Sequence, residues 1–273
     1  MRSIAKLMKD WQFTGPNGVT TAVELPHTWN ARDGQDGGND YWRGCCTYCT
    51  RFAAPVYDPA QQQVWLQFEG VNASAAVLLN GQQLCTHDGG YSTFRAEVTE
   101  LLQAENQLTV RVDNSVNDRV YPQKADFTFY GGIYRDVSLL VVNKNHIALG
   151  HFGDTGVKIT PALQENSADI RVETLVEGSG TVTVELLDAE GRTVAKGEGE
   201  NASLHLDAPH LWNGVKDPYL YTCVVRLLQD GQPVDEVTTR VGLRSFSVDA
   251  MCAACPSSCS PSAPARRRAR RPA

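Results

Sequence analysis

Alternation of apolar and polar residues is the feature that most constrains how this chain can fold. Val64-Trp65-Leu66-Gln67-Phe68-Glu69 and Leu108-Thr109-Val110-Arg111-Val112 repeat with a period of two, as strands with one buried face do. Asn80-Gly81 follows the strand-like run Ala76-Val77-Leu78-Leu79 and suits the positive φ angles of a tight hairpin. Helical periodicity is almost absent, so the sequence predicts an all-β protein whose first sandwich covers residues 1–143.

A second series of alternating segments begins after Asn145. Asp230-Gly231 marks a hairpin within it, and loops containing Gly, Asp and Glu separate the remaining segments. About seven short strands in about 100 residues are typical of an immunoglobulin-like β-sandwich, which we expect over residues 144–249. The clearest strands are Ile170 to Val176, Thr181 to Leu186, Thr222 to Leu227 and Val237 to Val241.

Length and composition agree with two compact domains. The chain has 273 residues, of which 42% are hydrophobic and 21% charged, and domains average about 100 to 200 residues. From Ala250 onwards alternation stops and Cys, Ser, Pro, Ala and Arg dominate. The sequence therefore predicts a disordered C-terminal tail over residues 250–273.

Charge and apolar runs set expectations about partners and location. The net charge is −6, although R-R-R-A-R-R at 266–271 supplies five of the 25 basic residues. The rest of the chain is therefore acidic, and we expect its folded part not to bind nucleic acid. Neither a secretory signal nor an apolar span of about 18 residues is evident. These observations predict a cytoplasmic protein with reduced cysteines and no membrane partner.

Several motifs occur in a fixed order along the chain. In the first half they are L-P-H-T-W-N at 25–30, D-Y-W-R-G at 40–44, V-L-L-N-G-Q-Q-L at 77–84, H-D-G-G-Y-S-T-F at 87–94, V-D-N-S at 112–115 and D-F-T-F-Y-G-G-I-Y-R-D-V-S-L-L at 126–140. In the second half they are L-W-N-G-V-K-D-P-Y-L-Y at 211–221 and V-G-L-R-S-F at 241–246. Together these segments resemble the N-terminal part of family 2 glycoside hydrolases, in particular bacterial β-galactosidases.

That resemblance implies a jelly-roll, galactose-binding-like sandwich followed by an immunoglobulin-like one. In the family both catalytic carboxylates lie on a (β/α)8 barrel that follows these two domains. The chain therefore resembles the non-catalytic, truncated portion of a β-galactosidase, and we expect it to be inactive alone. Two other functions remain open: a free-standing carbohydrate-binding module, and a structural domain that acts with a separate barrel.

Two residues have functional roles implied by the resemblance. Asp136 matches a family acid that contacts the galactose 6-hydroxyl and helps to bind a monovalent cation, a task that suits a hard carboxylate oxygen. The structural alternative is an ion pair with Arg135 or Arg119. Arg43 lies in the loop that reaches the sugar subsite, where other members carry Asn, so it is either a substrate-binding residue or an exposed loop arginine.

No catalytic residue or cofactor is predicted within this chain. Retaining hydrolysis needs two carboxyl groups about 5 to 5.5 Å apart, and acid pairs such as Asp33/Asp36 and Asp235/Glu236 have the composition of solvated loops. Cys252, Cys255 and Cys259 have a zinc-like spacing but lack a fourth ligand. The monovalent cation and Mg implied by the resemblance belong to the complete family enzymes. Partners implied in the same way are a weakly bound β-galactoside or other carbohydrate and a homo-oligomer.

The tail has its own interpretation. The family match stops at Asp249, and reading Pro261 to Arg270 one nucleotide later allows P-L-P-L-R-G-V-A-R, which is close to the family's continuation. We therefore interpret residues 250–273 as the product of a frameshift. The rival hypothesis is a genuine arginine-rich tail that binds nucleic acid or an acidic surface.

Overall fold

The structure is a computed structural model that describes residues 1–31, 41–122 and 128–246. The chain divides into two compact units that meet between Gly156 and Val157. The sequence predicts a first domain over residues 1–143, whereas the first compact unit continues to Gly156. The predicted tail at 250–273 and its three cysteines lie outside the described residues. So do Asp33 and Asp36 and the first two residues of the motif at 126–140.

The first unit is an antiparallel β-sandwich. A four-stranded sheet has the order β1-β12-β5-β9, a six-stranded sheet has the order β3-β2-β4-β10-β7-β8, and β6 pairs with β11. This confirms the predicted all-β class. The strands are β1 (Ser3–Lys6), β2 (Trp11–Thr14), β3 (Thr20–Val23), β4 (Cys45–Ala53), β5 (Gln62–Phe68), β6 (Val71–Asn72), β7 (Ser74–Leu79), β8 (Gln82–Asp88), β9 (Phe94–Glu97), β10 (Glu105–Asp113), β11 (Gly132–Ile133), β12 (Val137–Asn143) and β13 (His146–Ile147), with a 3-10 turn at Thr99–Leu101.

Alternate residues of the two sheets form the core of this unit. Val64, Leu66 and Phe68 point inward from β5 and meet Tyr48 and Val110 from the six-stranded sheet. The residues between them on each strand face outward, because successive strand side chains lie on opposite faces. On the six-stranded sheet the outward set is mostly polar and includes Arg111 and Asp113 of β10.

The segment after β12 packs on the outer face of the four-stranded sheet. Leu140, Val142 and Leu149 are buried together beside Trp65. Arg95 Nη1 donates to the carbonyl oxygens of Leu149 and Asp154, at 2.9 and 2.7 Å. These contacts explain why residues up to Gly156 belong to the first compact unit.

The second unit is also an antiparallel two-sheet sandwich. A three-stranded sheet has the order β14-β15-β19 and a four-stranded sheet the order β18-β17-β20-β21. Asp230 and Gly231 have φ angles of 49° and 75° in the turn between β20 and β21, which confirms the predicted hairpin. The strands are β14 (Val157–Leu163), β15 (Ser167–Thr174), β16 (Val176–Glu177), β17 (Thr181–Leu187), β18 (Thr193–Glu198), β19 (Asn201–Asp207), β20 (Tyr221–Gln229) and β21 (Gln232–Val241).

Candidate functional site

Buried asparagines fix the loops at one end of the first sandwich. Asn30 Oδ1 accepts the Gly131 N–H at 2.8 Å and the Asn114 side-chain amide at 3.2 Å, while Asn30 Nδ2 donates to the Trp42 carbonyl at 2.9 Å. Asn114 Nδ2 also donates to the Phe129 carbonyl at 3.0 Å. Buried amides stabilise loops only when such bonds are complete. The segment 129–131 is therefore held in one position by two side chains from distant loops.

A third buried asparagine fixes the same segment from another strand. Asn72, at the end of β6, donates its side-chain amide to the Tyr130 carbonyl at 2.7 Å. A Cβ on Gly90 would lie only 2.3 Å from Asn72 Oδ1, so a glycine there leaves room for the Asn72 side chain. We call residues 28–31, 41–44, 113–115 and 128–133 the loop rim.

Tryptophan side chains lie directly on glycine backbone in the loop rim. A Cβ on Gly131 would stand 2.0 Å from the Trp29 ring, and one on Gly44 would stand 2.5 Å from the Trp42 ring. Trp29 stacks on Phe13 with ring centroids 6.0 Å apart. These rings line an open groove of about 960 Å³ that also includes Asn17, Thr21 and Thr28. Aromatic faces with a few polar groups are typical of small-molecule sites.

His27 and Tyr48 form a hydrogen-bonded polar pair beside the loop rim. The Tyr48 hydroxyl lies 2.7 Å from His27 Nδ1. Burial lowers the pKa of His27 and raises the pKa of Tyr48 well above its usual range. Both side chains are therefore neutral near pH 7, and their hydrogen bond needs no buried charge.

Arg43 is fixed within the loop rim. Its Nε donates to the Asn114 carbonyl at 2.8 Å, and its guanidinium carbon lies 5.3 Å from the centre of the Phe129 ring. The side chain is half-buried, so the alternative of a freely exposed loop arginine is wrong. Its predicted contact with a sugar stays a prediction.

Asp136 forms an ion pair that the sequence interpretation did not anticipate. Its Oδ2 lies 2.6 Å from Lys6 Nζ of β1, and this contact raises the pKa of Lys6. Arg119 instead pairs with Asp88 at 3.0 Å, and Arg135 donates to the carbonyls of Tyr91 and Glu69. The alternative partners Arg135 and Arg119 were therefore wrong, because strand pairing places β1 beside β12.

The structure does not bring Arg43 and Asp136 into one cluster. Arg43 contacts Asn114 and Phe129, whereas Asp136 contacts Lys6 and, through its carbonyl, the Glu69 N–H. Within residues 1–31, 41–122 and 128–246, no group of three acidic, histidine or cysteine side chains could hold a metal ion. Asp136 alone does not make a cation site, and its assignment as a sugar and cation ligand stays a prediction.

Carboxyl groups in the described part of the chain show no sign of general-acid chemistry. Three have a pKa shifted from its usual value, and in all three the pKa is lowered. Asp88 is held ionised chiefly by the Ser74 hydroxyl, and Glu185 chiefly by Lys196. A general acid of a glycosidase needs the opposite shift.

Sequence reasoning overlooked the three asparagines that hold the rim. Asn30 ends L-P-H-T-W-N and Asn114 lies in V-D-N-S, so both stood in motifs already noted. The signal that could have identified them is an asparagine at the end of a strand or loop. Its side-chain amide can both donate and accept, and buried backbone groups at such positions need hydrogen-bond partners. Only the folded chain shows that the two residues meet.

Fold and rim together define a class of protein: two consecutive β-sandwiches, the first of them galactose-binding-like. Residues 39–162 match the family model described as glycosyl hydrolase 2 galactose-binding domain-like, and residues 151–244 match that of glycosyl hydrolases family 2. The chain therefore belongs to glycosyl hydrolase family 2, through its two sandwich domains. Among the described residues, no helix is long and apolar enough to cross a membrane.

Relatives in this family include glucuronidases as well as galactosidases. A β-glucuronidase of Bacteroides fragilis is 34% identical over 265 residues, covering 89% of this chain and 38% of the relative. The β-galactosidase BoGH2A of Bacteroides ovatus is 32% identical over 282 residues, covering 88% of this chain and 31% of the relative. The chain thus spans between about three and four tenths of these relatives.

Solved structures give the same picture. The FMN-binding β-glucuronidase of Faecalibacterium prausnitzii L2-6 matches with a TM-score of 0.85 and 36% identity, over 91% of this chain and 40% of that one. A structure described as a β-galactosidase of Bacteroides fragilis matches with a TM-score of 0.82 and 35% identity, over 90% of this chain and 42% of that one.

Proposed function

We propose that these two sandwiches are the non-catalytic part of a β-glycoside hydrolase and hydrolyse no glycoside alone. The observation that carries the proposal is the loop rim, where Asn30, Asn72 and Asn114 hold residues 129–131 in a fixed position. A rim fixed before the ligand arrives costs little to order, so it can shape one wall of a sugar site. The two catalytic carboxylates belong to another part of the enzyme.

Arg43 and Asp136 are the rim-side residues that we assign to sugar contact. Arg43 is held in place by the bond from its Nε to the Asn114 carbonyl, and a guanidinium is a planar donor that suits hydroxyl and carboxylate oxygens. Asp136 can accept from a hydroxyl, but Lys6 competes for its Oδ2. We expect this contact to be weak in the isolated chain, because an open rim leaves most of the sugar surface in water.

A terminal β-galactoside is the substrate that the motif resemblance supports. A β-glucuronide is the second candidate, and the identities of 34% and 36% to proteins named β-glucuronidase support it. An arginine at position 43 favours neither sugar decisively, since a guanidinium binds both hydroxyl and carboxylate oxygens. Both sugars therefore enter the tests.

Hydrolysis by the full 273-residue chain is the first test. We expect 4-nitrophenyl β-D-galactopyranoside and 4-nitrophenyl β-D-glucuronide to be cleaved no faster than in buffer, since hydrolysis needs a positioned pair of acid and nucleophile, which we assign to another part of the enzyme. Protein purified in parallel from a host lacking glycosidase genes controls for contamination. Turnover well above the buffer rate by that preparation contradicts the proposal.

Sugar affinity separates the proposal from a free-standing binding module. We expect galactose and glucuronate to bind with dissociation constants in the millimolar range or weaker, as titration calorimetry would show. Micromolar affinity for either sugar would instead support the binding module. Asp136→Ala and Arg43→Ala then test whether these two residues are responsible, with Arg240→Ala on β21 as the control.

A further inference from the structure

A depression lies on the outer face of the six-stranded sheet, next to the loop rim, with which it shares Asp113. Its volume is about 340 Å³, within the range of small-molecule sites. Neither Arg43 nor Asp136 belongs to it. The residues that line it are Cys45, Ser74, Ala75, Ala76, Thr86, Asp88, Arg111, Asp113 and Arg119.

Small residues on the middle strand create the depression. Ser74 and Ala76 of β7 face outward between longer side chains on β10 and β8. Arg111 of β10 is the cross-strand partner of Ala76 on one side, and Thr86 of β8 is its partner on the other side. Strands lie about 4.8 Å apart, so the two walls are roughly 10 Å apart and leave room for one pyranose ring.

One end of the depression is already organised by hydrogen bonds. Arg119 Nε donates to Asp88 Oδ2 at 3.0 Å, and Ser74 Oγ donates to Asp88 Oδ1 at 2.5 Å. Arg119 Nη2 lies 3.4 Å from Ser74 Oγ. Three polar side chains from separate segments are therefore fixed relative to one another before any ligand binds, which reduces the entropy that binding would cost.

The other end holds hydrogen-bonding groups that are not fully used. Arg111 has neither an ion-pair nor a hydrogen-bond partner in the part of the chain that the structure describes. Asp113 Oδ1 accepts the Ser115 N–H at 2.8 Å, which leaves its second carboxylate oxygen for a ligand. The Arg111 donors and the Asp113 acceptor thus lie next to each other, at the edge of the small apolar surface formed by Ala76.

We propose that this depression binds one neutral sugar residue, with Arg111 and Asp113 holding hydroxyl groups over the Ala76 floor. Two arginines and two aspartates line it, so their formal charges cancel and give no net attraction to a phosphate or a uronate. Among the described residues, no group of three or more acidic, histidine or cysteine side chains lies here to hold a metal ion. The adjacent hydroxyl groups of a sugar both donate and accept hydrogen bonds, so they can bond to neighbouring arginine and aspartate side chains.

The site goes beyond the proposed function, because it adds a sugar contact on a sheet face that meets the loop rim only at Asp113. It would hold a second residue of a polysaccharide, or a separate sugar, while the rim serves the terminal residue. If the depression does not bind sugar, the proposed function still stands. The test must therefore distinguish binding at the depression from binding at the loop rim.

Binding of methyl β-D-galactopyranoside to the full chain is the first measurement, by ligand-observed NMR titration. We expect Arg111→Ala and Ala76→Leu each to weaken binding by about tenfold, the first by removing charged donors and the second by filling the floor. Arg51→Ala is the matched control, because Arg51 is an exposed arginine on the same sheet face outside the depression. Circular dichroism and thermal melts verify that each variant is folded.

Alkylation of Cys45 provides a reporter at the site itself. Cys45 is exposed and lines the depression, whereas its neighbour Cys46 is buried. A bound sugar should slow carbamidomethylation of Cys45 by iodoacetamide at least about twofold once the site is more than half occupied. This protection should disappear in Arg111→Ala and persist in Asp136→Ala.

Three outcomes overturn the inference. The first is loss of binding in Arg43→Ala or Asp136→Ala with binding in Arg111→Ala and Ala76→Leu unchanged, which assigns all binding to the residues of the proposed function. A second is salt-sensitive glucuronate binding that is tighter than galactoside binding, which would make the depression a site for anions and not for neutral sugars. The third is the absence of both binding and protection at saturating sugar.

Discussion

Asn114 donates its side-chain amide to the side-chain oxygen of Asn30 across 3.2 Å, and both side chains are completely buried. The two residues come from loops that precede β4 and follow β10, and each also bonds backbone of the segment 129–131. The rim is therefore one cooperative polar unit and not a set of independent loops.

Asn30→Ala should destabilise the first unit by about 1–3 kcal/mol, since it leaves the buried Gly131 N–H without its acceptor and removes the amide donor to the Trp42 carbonyl. Tryptophan fluorescence in urea measures this, because Trp11, Trp29, Trp42 and Trp65 all lie in that unit. Asn17→Ala is the control in an exposed turn, with an expected change of about 0.5 kcal/mol. Equal effects of the two substitutions would contradict a cooperative rim.

Gly131→Ala should be destabilising for a purely steric reason. Its Cβ would lie 2.0 Å from the Trp29 ring, so the ring must leave its place on the glycine. Overpacking of this kind costs about 1–3 kcal/mol. A double-mutant cycle with Trp29→Ala tests the cause: in that background Gly131→Ala should cost much less. Additive effects of the two substitutions would show that the ring contact is not responsible.

Local patterns predicted the strands and their turns because those features depend on neighbouring residues. Residues 64–68 of the run 64–69 lie in β5, and Asn80-Gly81 has φ angles of 52° and 85° in the hairpin between β7 and β8. Asp230-Gly231 behaves in the same way in the second unit. Alternation within a strand fixes which side chains are buried without any knowledge of the partner strand.

Partners across the fold could not be predicted in this way. Lys6 reaches Asp136 only because β1 pairs with β12, and no local signal near either residue encodes that pairing. The depression at Ala76 likewise needs three strands in the order β10-β7-β8. Nothing in the sequence distinguishes small outward residues such as Ser74 and Ala76, because they form a depression only when larger side chains lie on the strands beside them.

Acid stability should depend on Glu185 in the second unit. Lys196 and Arg226 hold the pKa of Glu185 below its usual value of 4.5. The folded state therefore gains stability from this group above about pH 4.5, and loses it as the pH falls through the lowered folded-state pKa. Glu185→Gln should flatten the fall in melting temperature between about pH 5 and pH 3, while Glu165→Gln on an exposed turn leaves it as steep. An unchanged slope in Glu185→Gln would refute the assignment.

Thiol reactivity should separate two neighbouring cysteines on β4. Burial raises the pKa of Cys46 to about 12 and that of Cys223 to about 11, whereas Cys45 is exposed. Because the thiolate is the reactive form, iodoacetamide at pH 8 should modify Cys45 in the folded protein and leave Cys46 and Cys223 unmodified. Peptide-resolved mass spectrometry measures each site, and a sample in denaturing urea should show all three modified. Early modification of Cys46 in the folded protein would mean that the edge of the sandwich core opens readily, against the packing seen around Tyr48 and Val112.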